Sequence, residues 1–146
     1  MTIDDQVKVA VYRHFAETGR APSTADVARR VGSAVETIPA SYARLRAQRL
    51  LVLDVEGSSI RMASPFSGVE TQHVVEAGGR RYFANCGWDA LGVIAALHVP
   101  GTIHSRCEQS GEPFDLRVGL DGPEPSDWVF HCLVPAAHWW DDIVFT

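Results

Sequence analysis

The residues best suited to chemistry lie in the run Asn85-Cys86-Gly87-Trp88-Asp89-Ala90-Leu91-Gly92. Hydrophobic patterning predicts that a strand ends and a helix begins here, which puts Cys86 in or beside the first helical turn. Unpaired N–H groups and the positive end of the helix dipole at that position stabilise a thiolate. Asp89 follows three residues later, close enough on a helical turn to approach the same bound group. A thiolate is what a soft metal ion seeks, and a neighbouring carboxylic acid can deliver a proton. Cys86 and Asp89 are therefore the candidate catalytic and metal-holding residues. A plainer account fits the same spacing: Asn85 or Cys86 marks the helix boundary, Asp89 is an acid favoured by the dipole, and Cys86 is a small buried side chain.

The other candidate ligands are placed less favourably. His104 and Cys107 are three apart on a predicted strand and so face opposite sides of it. His131 and Cys132 fail by the same alternation, and Cys132 is expected to be a buried cysteine on an apolar strand at 128–134. His98 is expected to end its helix. Trp139 and Trp140 are large enough to wall an apolar pocket, although packing in a core or lid is the default for side chains of this size.

The elements that must carry these residues follow from the pattern of the carboxy-terminal half. Segments 69–77 and 80–84 flank Gly78-Gly79, a signal for a two-residue hairpin. Segment 88–97 is the one helix predicted in this half, closed by Val99-Pro100-Gly101. Strands are predicted at 102–107 and 114–120 around Gln109-Ser110-Gly111, then at 128–134, and another begins at 143–145. Because strand-like residues stand at the very end, the sequence reads as a shortened form of a longer protein.

In the amino-terminal half, Val7, Ala10, Val11 and Phe15 recur at helical spacing, and Gly19 and Pro22 end that helix. Ser23 or Thr24 can cap a second helix over 26–31, closed by Gly32. A third is predicted over 35–48, with Ile38, Tyr42 and Leu45 on one face and Pro39 in its first turn. Segments 50–53 and 60–62, separated by a turn containing Gly57, fit a two-stranded wing. Three helices followed by a wing are winged-helix-like. The third helix carries Arg44, Arg46 and Arg49, but its start, Ala34-Val35-Glu36-Thr37, is poor in side chains that read bases.

Composition bounds the rest. With 146 residues, 46% hydrophobic and 21% charged, the chain is an ordinary globular protein of one to two small domains. Residues 1–62 hold nine Lys/Arg against seven Asp/Glu, whereas residues 63–146 hold four against eleven. The break falls in Ala63-Ser64-Pro65-Phe66-Ser67-Gly68, so the expected division is a winged-helix-like domain at 1–64 and an α+β domain at 65–146. The fold class expected is α+β, with a small mixed or antiparallel sheet and one short helix in the second domain. A formal charge of -5 argues against nucleic acid as a partner. No apolar run is long enough to cross a membrane, and residues 1–15 contain no signal-peptide core. Three cysteines without an export signal point to a reduced, cytoplasmic setting.

The stretch Tyr82-Phe83-Ala84-Asn85-Cys86-Gly87-Trp88-Asp89-Ala90-Leu91 resembles the active-site segment of the organomercurial lyase (alkylmercury lyase) family. The likeness continues through Ile103-His104-Ser105-Arg106-Cys107, Ser110-Gly111-Glu112-Pro113, Leu133-Val134-Pro135 and Trp139-Trp140-Asp141-Asp142-Ile143-Val144-Phe145-Thr146. The winged-helix-like start also matches the family's first domain. The resemblance implies protonolysis of a carbon–mercury bond in alkyl or aryl mercury compounds. It implies that Cys86 captures mercury as a thiolate, and that Asp89 shuttles the proton and helps to hold the metal. No organic cofactor is implied. Mercuric ion would be the bound product, organomercurials the small-molecule substrate, and cellular thiols the acceptors of the ion. The family's second catalytic cysteine would follow Thr146 and is absent, while Cys107 resembles a cysteine regarded as structural. A second reading makes the chain a winged-helix transcriptional regulator that senses a soft metal or an electrophile through Cys86. A third is a family-like protein that binds another small ligand.

Overall fold

The computed structural model describes residues 1–146 and has an α+β architecture. Helix α1 (Ile3–Thr18) starts at a reciprocal cap in which Thr2 and Asp5 satisfy each other's backbone, and Gly19, at φ 75°, ends it. A side chain on Gly19 would meet the Arg81 carbonyl oxygen at 2.1 Å, so glycine is required there by space as well as by backbone. Helix α2 (Thr24–Val31) repeats the device with Ser23 and Asp26 and ends at Gly32. One 3-10 turn at Val35–Thr37 leads into α3 (Ile38–Ala47), with Pro39 in its first turn.

Strands β1 (Val52–Leu53) and β2 (Ile60–Ala63) make the expected hairpin. β2 then turns directly into β3 (Phe66–Ser67), so the Ser-Pro stretch is a tight connection inside the sheet. β4 (His73–Ala77) and β5 (Arg80–Ala84) pair across Gly78-Gly79, and α4 (Gly87–Leu97) follows. β6 (Gly101–Arg106), β7 (Pro113–Gly119) and β8 (Gly122–Pro123) complete one eight-stranded sheet in the order β1-β2-β3-β5-β4-β6-β7-β8. Every pairing is antiparallel, so the sheet is not mixed.

One core joins the two halves. Val7, Val11 and Phe15 of α1 belong to the same buried cluster as Val75, Tyr82, Val93 and Ile103. Phe66 stacks on Phe15 at 5.3 Å, and the Tyr82 hydroxyl donates to the Ala16 carbonyl at 2.7 Å. α4 lies over β4, β5 and β6. Alternation on β4 turns His73, Val75 and Ala77 inward beneath that helix.

Three expected strand regions differ. Residues 128–134 are irregular, and Cys132 is exposed rather than buried on a strand. Their apolar run adds no strand to the sheet; its rings pack instead on other elements, Trp128 on Phe114 at 4.4 Å and Phe130 on Trp88 at 5.5 Å. Residues 143–145 form a turn in which the Phe145 N–H donates to the Asp142 carboxylate at 3.1 Å. Residues 69–72 stay outside β4: the Val69 N–H is taken by the Ser67 hydroxyl at 3.2 Å, and Thr71 donates to the Ala84 carbonyl.

Arg44 does not project freely from α3. Its Nε and Nη2 atoms donate to the two carboxylate oxygens of Asp4, each at 2.8 Å, and Ser41 adds a third bond at 2.6 Å. These bonds hold Asp4 at about 2, below its ordinary 3.8. A folded-state value below the unfolded one gives stability that is complete above the unfolded value and disappears as pH falls through the folded one. Asp4→Asn is therefore expected to melt below the parent protein at pH 6, with the gap closing as pH falls from about 4 to about 2. Thermal melts across that range check it; a gap independent of pH would show that the ion pair is not its source.

Candidate functional site

The turn from β5 into α4 sets the site. Ala84, opposite His73 in the sheet, is the last strand residue, and the chain leaves through Asn85. Cys86 has extended backbone (φ -149°, ψ 176°) and is the N-cap of α4, so its side chain lies over the open end of the helix. Its Sγ accepts the Asp89 N–H at 3.4 Å. Sulfur thus takes the place that a Ser or Asp oxygen holds at an ordinary N-cap. Asp89 is the third residue of the helix, which brings its carboxyl back to the same sulfur.

Both groups are half-buried, and burial dominates their acidity. It pushes the Cys86 thiol up, and the Asp89 charge beside it pushes further the same way; the N–H groups of Asp89 and Trp88 oppose this. The helix end therefore does not by itself make Cys86 a stable free thiolate. Burial also raises the Asp89 carboxyl, against the Ser64 hydroxyl, the Cys86 thiol and nearby His73, all of which favour its charged form. The pair is suited to exchange a proton: a thiol that gives one up on binding a soft cation stands beside a carboxylate that can take it.

Several neighbours escaped the sequence reading. The Ser64 hydroxyl donates to Asp89 Oδ1 at 3.2 Å across 25 residues of chain. His73 is buried beneath α4, with Nδ1 2.7 Å from Ser105 Oγ and Nε2 3.0 Å from Glu108 Oε1. Trp88 and Phe130 are in ring contact at 5.5 Å, and Phe130 also lies 4.0 Å from where a Gly87 side chain would begin. The aromatic pair beside Cys86 is therefore Trp88 and Phe130. Trp139 is half-buried in the 3-10 segment Ala136–Asp141, its indole N–H donating to the Val134 carbonyl at 2.7 Å. No local pattern marked Ser64 or His73, because each contact joins strands or turns distant in sequence.

The remaining candidates do not converge. His104 sits between Asp115 and Glu76 on the outer face of the sheet, and these acids raise it. Cys107 lies in the β6–β7 turn, where the Ser110 hydroxyl and N–H lower its thiol. His98 is the C-cap of α4, in left-handed conformation at φ 54°. No three of His, Cys, Asp and Glu gather around a point suited to a metal ion. Two surface clefts of about 340 and 330 Å³ lie against α1 and α2 and beside β2, away from Cys86.

The alkylmercury lyase family model matches residues 66–146, more than half of the chain and the part that contains Cys86 and Asp89. A similar solved structure is the mercury-bound form of MerB2, with a TM-score of 0.65 and 22% identity; the match covers 84% of this chain and 60% of that one. The chain thus spans about three-fifths of that protein's length, and at this identity the likeness speaks for the fold. No curated protein sequence matches it.

Proposed function

Because the chain belongs to the alkylmercury lyase family, we propose that it cleaves the carbon–mercury bond of alkyl or aryl mercury compounds by protonolysis, with Cys86 and Asp89 as the reacting groups. The observation that carries this reading is the cap itself: one helical turn presents a thiol and a proton-accepting carboxyl to the same point. The Cys86 sulfur bonds to mercury and displaces the ligand opposite carbon, passing its proton to Asp89. The Asp89 carboxylic acid then protonates the carbon. The electron pair of the breaking carbon–mercury bond forms the new C–H bond, and hydrocarbon leaves. Mercuric ion stays on the Cys86 thiolate and the Asp89 carboxylate until thiols in solution take it. The reading adds no organic cofactor. No helix is long and apolar enough to cross a membrane. The three helices and the β1–β2 hairpin are read as a winged-helix-like unit, with Arg44 committed to Asp4 rather than to a nucleic acid.

The direct test is release of benzene from a phenylmercury salt with thiol in excess, measured by gas chromatography. Benzene formed in proportion to protein is expected; none from the unmodified chain overturns the reading. The apolar side of the site gives a second expectation. Trp88 and Phe130 offer an aromatic wall that contacts the organic group before and during reaction alike, so its loss weakens binding more than turnover. Phe130→Ala should raise KM for phenylmercury by roughly ten-fold with kcat little changed, and affect methylmercury less. An equal effect on the two substrates would remove Phe130 from the binding surface.

A further inference from the structure

Asp89 is held from outside its own helix, and the holding residues trace back to the amino-terminal unit. The Ser64 hydroxyl donates to Asp89 Oδ1 at 3.2 Å, and the Ser64 carbonyl accepts the Tyr12 hydroxyl of α1 at 3.0 Å. The next two residues fasten the same turn on both sides. Pro65 lies against Gly92 of α4, where an added Cβ would come within 2.9 Å of the proline ring. Phe66 stacks on Phe15 and meets Tyr12 edge-on at 6.4 Å. The β2–β3 turn is therefore clamped between α1 and α4, with its one hydroxyl aimed at the carboxyl. This gives the amino-terminal helices a part in the site that a nucleic-acid reading leaves unexplained.

We propose that Ser64 is a positioning residue for Asp89, fixed in turn by Tyr12, so that α1 sets the direction in which the carboxyl hands over its proton. The inference rests on the protonolysis reading above. With Oδ1 anchored by Ser64, the carboxyl is held in one orientation beside the Cys86 sulfur. Freed from Ser64, the carboxyl rotates about its terminal torsion, and the reactive orientation becomes one among several.

The test compares Ser64→Ala, Ser64→Thr and Tyr12→Phe in benzene release from phenylmercury, with thermal melts alongside. Ser64→Ala should lower kcat about ten-fold, the scale of one hydrogen bond to a charged group, with KM within about two-fold. Ser64→Thr keeps the hydroxyl and should recover at least half of kcat; Tyr12→Phe should lose about three-fold. Melting temperatures of the Ser64 variants should stay close to that of the parent chain, since Ser64 is exposed. An unchanged kcat in Ser64→Ala, or a threonine variant no better than alanine, overturns the proposal. Should the parent chain release no benzene, the protonolysis reading fails on its own. The positioning is then read from the ¹³C resonance of the Asp89 carboxyl. A shift in Ser64→Ala that returns in Ser64→Thr supports it, and a resonance unmoved by either overturns it.

Discussion

Cys86→Ser is expected to abolish benzene release, by on the order of 10³-fold or more, while leaving the fold intact. The loss follows from the donor atom. A serine hydroxyl is not ionised near neutral pH, and its hard oxygen is a poor match for a soft metal, so neither capture nor polarisation of the carbon–mercury bond is retained. A 10³-fold loss corresponds to about 4 kcal/mol of transition-state stabilisation. The fold is spared because Cys86 occupies the N-cap of α4, and serine is among the best residues at that position. Its oxygen can take over the Asp89 N–H that sulfur now accepts at 3.4 Å. The melting temperature should therefore hold or rise as activity disappears, a combination that general damage to the structure does not produce. Residual activity above a tenth of the parent's would move the chemistry to Cys107 or Cys132, and the corresponding double variants would locate it.

What could be read from the sequence was local. Ser23 and Gly32 bracket α2, Gly19 closes α1, and Gly78-Gly79 turns β4 into β5, each by backbone chemistry confined to a few residues. The helix start at Cys86 belongs to the same class of signal. The segment 128–134 shows the limit: its residues suit a strand, but Trp128 packs on Phe114 and Phe130 on Trp88, partners distant in sequence that no local pattern marks. Ser64 was hidden for a related reason. It lies in a stretch whose composition reads as a link between units, and only the folding of α1 and α4 onto that turn brings it to Asp89. The acidity of Cys86 was the subtler miss. The helix dipole alone suggests a stabilised thiolate, whereas burial and the adjacent carboxyl outweigh it and push the thiol up.

That balance makes the Asp89→Asn variant the sharper experiment, because it moves two observables in opposite directions. Asparagine has nearly the same shape and keeps the N–H bond to Cys86, but it cannot carry the proton to carbon. Loss of a positioned proton donor is expected to lower benzene release by about 10² to 10⁴-fold. Cys86 should meanwhile become easier to ionise, since the negative charge that raises it is gone while the N–H groups that lower it remain. The sign follows directly: less opposing charge favours the thiolate, so the pH profile of Cys86 alkylation by iodoacetamide shifts toward lower pH. Burial is the larger cause of the raised thiol and is untouched, so the shift is partial and the profile stays above that of an exposed cysteine. A site whose sulfur is more reactive and whose turnover is nevertheless lost has not lost its thiolate, which places the defect in the Asp89 carboxyl itself. Turnover within three-fold of the parent's would remove Asp89 from the reaction. An alkylation profile that stays put or moves to higher pH would show that the carboxyl and the thiol do not act on each other.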